Sequence, residues 1–145
     1  MEHIPVVSLR LVRERTIPYQ TRDIGSSQAA YELFRELAED LDREAMWVAC
    51  LDAKNRLTCL SLVSLGTINW APVHPREIFK IALMANALSL ITVHNHPSGD
   101  PAPSQDDRVV TAQIKAASQL LGIAFLDHLI VGHGSFYSFA DHGGL

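Results

Sequence analysis

The chain has 145 residues, 48% of them hydrophobic and 19% charged, which suits one globular domain burying about two-thirds of its unfolded surface and excludes a disordered chain. Twelve Lys and Arg stand against 16 Asp and Glu, a formal net charge of −4, so nucleic acid is a weakly supported partner. No apolar run approaches the ~18 residues of a membrane span, and Met1 to Pro18 lacks the apolar core and cleavage site of a secretory signal; the expected location is cytoplasmic, with no membrane partner.

Residues 6–17 read as a strand or an extended arm ending at Pro18. Arg10, Arg13 and Arg15 make the compact basic cluster of this arm; Glu14 interrupts it, and a solvated edge strand explains it. Residues 1–24 are expected to form the arm and 25–145 a single domain. Gly25-Ser26-Ser27 starts a helix to about Asp42, with Ala30, Phe34, Leu37 and Leu41 on one stripe. A hairpin follows, Ala45 to Asp52 and Arg56 to Leu65, joined through Ala53-Lys54-Asn55. Cys50 and Cys59 lie on these strands and could neighbour each other; in a cytosolic protein, buried free thiols are the expectation. Gly66 to His74 is a loop carrying Trp70, and Pro75 to Ala87 is a helix apolar on nearly all sides, hence buried. Leu88 to His94 is the central strand, followed by a Pro/Gly-rich loop and a helix from Ser104 to Leu121 with Val110, Ile114, Ala117 and Leu121 on its apolar stripe. Phe125 to Val131 and Phe136 to Phe139 close the chain as a second hairpin. Helices alternating with strands imply an α/β sandwich, a mixed β-sheet flanked by helices.

The chemistry concentrates in HNHPSGDPAPSQDD, His94 to Asp107. His94 and His96, one residue apart at the end of a strand, project from the same face. Asp107 supplies a third ligand from the start of the next helix. Ser104 with an acid three residues on is also an ordinary helix cap; the two histidines delivered to the same helix terminus turn the reading toward metal. Two His and one carboxylate leave a fourth position on zinc open for water, and the ion acidifies that water and polarises a carbonyl. His128, with Asp127 beside it, reads either as a satisfied structural histidine or as a residue behind the ligands, because a metal-bound imidazole needs a partner on its other nitrogen. His74, His133 and His142 read as solvated. The H-x-E and P-C-x-x-C pattern of a nucleoside deaminase is absent.

H-x-H-P-x-G followed by P-S-x-x-D resembles the JAMM (MPN-plus) metalloprotease motif. The longer match, from LDAKNRL through GTINWAPVHPREIFKIALMANA to HNHPSG and LDHLIVG, resembles the JAB-type domain of bacterial RadC proteins over roughly residues 25–140. The resemblance implies a JAB/MPN, cytidine-deaminase-like sandwich, bound zinc, and a distant glutamate acting as base on the activated water. Glu44, just before the first long strand, fits that position; it also reads as the end of a helix in a charged cluster. Glu77, which opens a helix after Pro75 and favourably meets its dipole, is the competitor. Ser104 would hydrogen-bond the developing oxyanion. Asn95 stands where most JAMM peptidases carry Ser or Thr, as is usual for RadC-like members, and this puts a deubiquitinase-type substrate preference in doubt. The helix-hairpin-helix segment common ahead of the domain in RadC proteins is not seen in these 145 residues.

Three functions compete. The leading one is a zinc-dependent hydrolase of peptide or isopeptide bonds. The second is a DNA-repair-associated or partner-binding module with a structural or vestigial metal. The third, a metal-dependent nuclease, rests on the letters H-N-H alone, and a ββα-metal nuclease spreads those residues over a longer motif. A homodimer through an exposed edge strand is a further expectation.

Overall fold

A computed structural model describes residues 1–66 and 73–145. Three helices and five strands alternate as α1 (Ser27–Ala38), β1 (Ala45–Leu51), β2 (Leu57–Leu65), α2 (Pro75–Met84), β3 (Ser89–Asn95), α3 (Gln105–Leu121), β4 (Ala124–Val131) and β5 (Phe136–Ser138). The strands form one sheet in the order β2-β1-β3-β4-β5. β1 pairs antiparallel with β2 and β3, β4 antiparallel with β5, and β3 parallel with β4. Parallel neighbours need a long crossover, and α3 provides it. The expected mixed sheet flanked by helices is therefore the observed α/β architecture.

Every residue of β3 is buried, because strands flank it on both sides and helices cover both faces. Alternation along the strands divides the core. Ala49, Leu51, Ile91, Val93, Leu129 and Val131 pack with Ala30, Leu33 and Phe34 of α1. Met46, Val48, Cys50 and Leu90 pack with Ile78, Phe79 and Ala82 of α2 and with Val110 and Ile114 of α3. At about 25 cal/mol per Å² of apolar surface, these two layers supply the main favourable term in folding. They also leave the even-numbered positions of β3, and of β4 beyond the register shift that precedes Asp127, facing α3, and that parity decides where the histidines point.

Several boundaries differ from expectation for physical reasons. Of the two readings of residues 6–17, strand or arm, the arm holds: no strand forms there, and Val6, Val7, Leu9 and Val12 lie in solvent. Among the described residues no neighbouring strand completes its backbone bonds. Pairing begins only where Asp23 bridges Arg56. The first helix stops at Ala38 rather than near Asp42, its last backbone bond running from Glu39 N–H to Arg35 O. α2 ends at Met84 instead of Ala87, because Asn86 adopts a left-handed φ of 52°. It is also not buried all round: Ile78, Phe79 and Ala82 face the core, while Leu83 is 53% exposed. Trp70 lies outside the described residues. Cys50 and Cys59 face each other across β1 and β2 as free thiols, Cys50 buried and Cys59 half-buried. Among the described residues no helix is long and apolar enough to cross a membrane.

Candidate metal centre

The carboxyl end of β3 meets the N-terminus of α3, and the three proposed ligands gather there. His94 occupies an even position of β3 and faces α3. His96 lies one residue past the strand, where its N–H continues the parallel ladder by bonding Val131 O at 2.9 Å. That extra rung keeps both imidazoles on one side. Asp107 is the third residue of α3 and is fully buried. Its position is set by a reciprocal cap: Ser104 Oγ accepts from Asp107 N–H at 3.1 Å, and Asp107 Oδ2 accepts from Ser104 N–H at 2.8 Å. Both readings of Ser104 and Asp107 are thus compatible, since the cap that starts the helix also aims the carboxylate.

His94 Nε2 lies 3.1 Å from His96 Nε2, and each is 3.2 Å from one oxygen of Asp107. Ligands on a tetrahedral zinc with bonds near 2.0–2.1 Å sit ~3.3 Å apart, and these spacings are of that size, with His94 facing Oδ1 and His96 facing Oδ2. The hydrogen-bond inventory points the same way. His96 Nδ1 is 2.8 Å from Asp100 O, which can only accept, so His96 donates there and its Nε2 carries a lone pair inward. Asp107 Oδ1 is buried without a hydrogen-bond partner. Acceptors pointing at one another repel unless a cation, proton or metal, sits among them. His94, His96 and Asp107 form a group whose ligand atoms could hold one metal ion. Burial pushes the Asp107 carboxyl up, but the two imidazoles at 3.2 Å, which in the metal-free chain can take up a proton and turn it toward the carboxylate, more than reverse this and leave it well below the ordinary carboxylate range. Burial lowers the His96 imidazolium, and Asp107, the Asp100 carbonyl and Glu44 outweigh it, so the balance is raised.

Glu44 and Glu77 separate clearly. Glu44 precedes β1, and its carboxyl is raised first by burial; the charges of His94 and His96 lower it, and that of Asp107 raises it. It therefore shares an electrostatic neighbourhood with all three candidate ligands. Glu77 lies on the exposed first turn of α2, paired with Lys80 at 3.3 Å and Arg76 at 3.8 Å, and among the described residues no hydrogen bond or ion pair links it to the triad.

Asn95 has a structural task that its place between the histidines did not reveal. Its Oδ1 accepts from Ala45 N–H at 2.8 Å, and its Nδ2 donates to Arg43 O at 3.0 Å. These bonds grip the backbone on both sides of Glu44. Behind His94 lies His128, fully buried, with Nε2 at 2.7 Å from His94 Nδ1 and Nδ1 at 2.6 Å from Thr111 Oγ1. Burial holds its pKa well below the ordinary histidine value. Thr111 escaped the reading of the sequence; its spacing of four from Asp107 on one helix was the available signal.

Asp127 does not join this group. Its oxygens accept from Ser138 Oγ at 2.5 Å, Ala140 N–H at 3.0 Å and His128 N–H at 2.7 Å, so it ties β4 to the C-terminal turn. His74 and His142 also have local tasks: the first caps α2 by accepting from Arg76 N–H, and the second stacks on Tyr137. The loop after His96 is held by close backbone packing. Gly99 has a φ of +90°, and His133 N–H bonds its carbonyl at 3.0 Å.

The sequence family described as RadC-like JAB domain matches residues 24–144. A UPF0758 protein of Methanosarcina barkeri is 43% identical over 122 residues, covering 84% of this chain and 53% of the relative. A UPF0758 protein of Thermotoga maritima is 40% identical over 122 residues, covering 84% and 54%. One of Pasteurella multocida is 49% identical over 104 residues, covering 72% and 46%. The chain spans about half the length of the curated relatives it matches. With the match running from just ahead of α1 to the last residues, this chain belongs to the RadC-like JAB domain family.

Proposed function

We propose that this chain is a zinc-dependent hydrolase of peptide or isopeptide bonds, with His94, His96 and Asp107 as ligands, Glu44 as general base and Ser104 as oxyanion donor. The observation that carries the reading is the gathering of His94 Nε2, His96 Nε2 and the Asp107 carboxylate, whose Oδ1 has no hydrogen-bond partner, within the reach of one metal ion. Bound there by three protein ligands, zinc would supply an open position, an acidified water and a polarised carbonyl.

The remaining work falls to the chain. Glu44 would take the proton of the attacking water and return it to the leaving amine. Partial burial raises its pKa, toward the range where a carboxylate does both at neutral pH. Ser104 Oγ already accepts from Asp107 N–H, so its own hydrogen is free to bond the carbonyl oxygen as negative charge develops, a contribution of about 3 kcal/mol. The JAB resemblance supports the same reaction class. The relatives' names state no activity, so the bond cleaved rests on this proposal.

Elemental analysis of the wild type against His94→Ala/His96→Ala tests it, followed by a screen of peptide and isopeptide substrates. One zinc per chain, lost in the double variant, with turnover abolished in Glu44→Gln at unchanged zinc content, is the expected result. No zinc after reconstitution would overturn the reading.

A further inference from the structure

Histidine can bind a metal through either ring nitrogen, and what the other nitrogen does decides which one is bare. His96 settles this through a backbone carbonyl. His94 has no such partner, since its Nδ1 meets another histidine, whose tautomer must be settled in turn.

We propose that Thr111 and His128 form a buried relay that fixes the His94 tautomer with Nε2 bare, making both of them positioning residues of the metal centre. The bonds leave one consistent assignment. Thr111 Oγ1 is 2.6 Å from Asp107 O, and a carbonyl only accepts, so the hydroxyl donates there. Its hydrogen spent, Oγ1 must accept from His128 Nδ1 at 2.6 Å. His128 then carries its hydrogen on Nδ1 and presents a lone pair on Nε2, 2.7 Å from His94 Nδ1. His94 must donate across that contact, which places its own ring hydrogen on Nδ1 and leaves Nε2 bare toward Asp107 and His96.

A doubly protonated His128 would reverse the last contact. Its ring is fully enclosed, stacked on Phe139 at 4.9 Å, and hydrogen-bonded only to His94 and Thr111, with no carboxylate on either nitrogen, an environment that disfavours a charge. The relay starts where the ligand set ends. Thr111 and Asp107 are four apart on α3, so the helix that brings the carboxylate ligand also sets the far end of the chain of bonds. His128 belongs there by register too: Thr92 is its partner on β3, two residues before His94 on the same face.

This inference rests on the zinc reading for the ion, but its spectroscopic test does not. Long-range imidazole 15N–1H correlation on the metal-free wild type at pH 8 reads the tautomers directly. Competition with a chromophoric chelator reads zinc affinity in the wild type, Thr111→Val, His128→Phe and His128→Gln. Expected are Nδ1–H tautomers for His94 and His128 in the wild type. Zinc affinity should fall roughly 10-fold in Thr111→Val and between 10- and 100-fold in His128→Phe, with partial recovery in His128→Gln, whose amide can accept and donate as the ring does. A merely packing role would order the variants the other way, since phenylalanine fills the space and glutamine does not. His94 protonated on Nε2 in the folded wild type would overturn the relay, as would wild-type affinity in Thr111→Val. If His128→Phe does not fold, the spectrum and Thr111→Val decide between them. A wild type that binds no zinc yet shows the Nδ1–H tautomers would sink the hydrolase and leave the relay standing.

Discussion

Replacing Asn95 with alanine removes the two side-chain bonds that grip the segment around Glu44. The two are not equal. Ala45 is only 2% exposed, so its N–H loses its acceptor at 2.8 Å with no water to replace it, at roughly 1–3 kcal/mol. Arg43 is exposed, so its carbonyl recovers a water and the loss there is about 0.5–1 kcal/mol. Together Asn95→Ala should lose about 1.5–4 kcal/mol, which for a domain of this size lowers Tm by roughly 5–14 °C. Asn95→Leu, nearly isosteric, should lose a similar amount, because the unpaired donor and not the vacated space dominates. Zinc affinity should stay within about threefold, as the two bonds end on backbone around Glu44 and touch no ligand. Urea titration followed by tryptophan fluorescence, paired with chelator competition, measures both quantities. If Asn95→Leu is as stable as the wild type, volume rather than hydrogen bonding held the segment, and the reasoning fails. If zinc affinity falls in step with stability, Asn95 acts on the ligands instead of on Glu44.

Three further outcomes are expected. Gly132→Ala should destabilise by about 1–3 kcal/mol, because its new Cβ would lie within van der Waals overlap of the Gly99 carbonyl oxygen, a backbone atom that cannot swing aside; wild-type stability in the same urea titration would refute this. Because the His96 pKa is raised from its ordinary 6.5 and zinc needs neutral imidazole, apparent zinc affinity should fall steadily from pH 8 to pH 6. In the metal-free chain the sign is opposite: the raised value stabilises at pH below the unfolded pKa and is lost as pH rises through the folded one. Flat affinity across that range would refute the assignment. Cys59 should alkylate with iodoacetamide near neutral pH well before Cys50, as peptide mapping would show. The hydrogen bond from the buried Cys50 thiol lowers Cys59 to about 7, and sharing that bond and burial push Cys50 up; equal rates would contradict it.

Much of the centre was legible from spacing. H-x-H at a strand end puts two rings on one face, because side-chain alternation is local geometry. Ser104 followed by Asp107 begins a helix by the capping chemistry of adjacent residues, and the same two bonds aim the ligand. The run from Leu88 to Val93, apolar and β-branched, reads as a buried strand, and it lies third in the sheet. Sequence position does not separate Glu44 from Glu77, because both sit at element starts. That Glu44 and not Glu77 lies near the triad depends on β1 pairing with β3, which puts Met46 opposite His94.

What the residues alone determined was everything encoded within about one turn or one strand: the candidate ligand types, their spacing, the cap, the alternation and the mixed α/β layering. What only the tertiary structure decided was contact across long separations. Asn95 reaches Ala45, 50 positions away, and His128 reaches His94, 34 positions away. The arm at residues 6–17 shows the same limit from the other side, since its residues read equally as a strand or an arm and a strand needs a neighbour. Hydrogen-bond partners brought together by sheet register leave no local periodicity in the chain, so no spacing rule could find them.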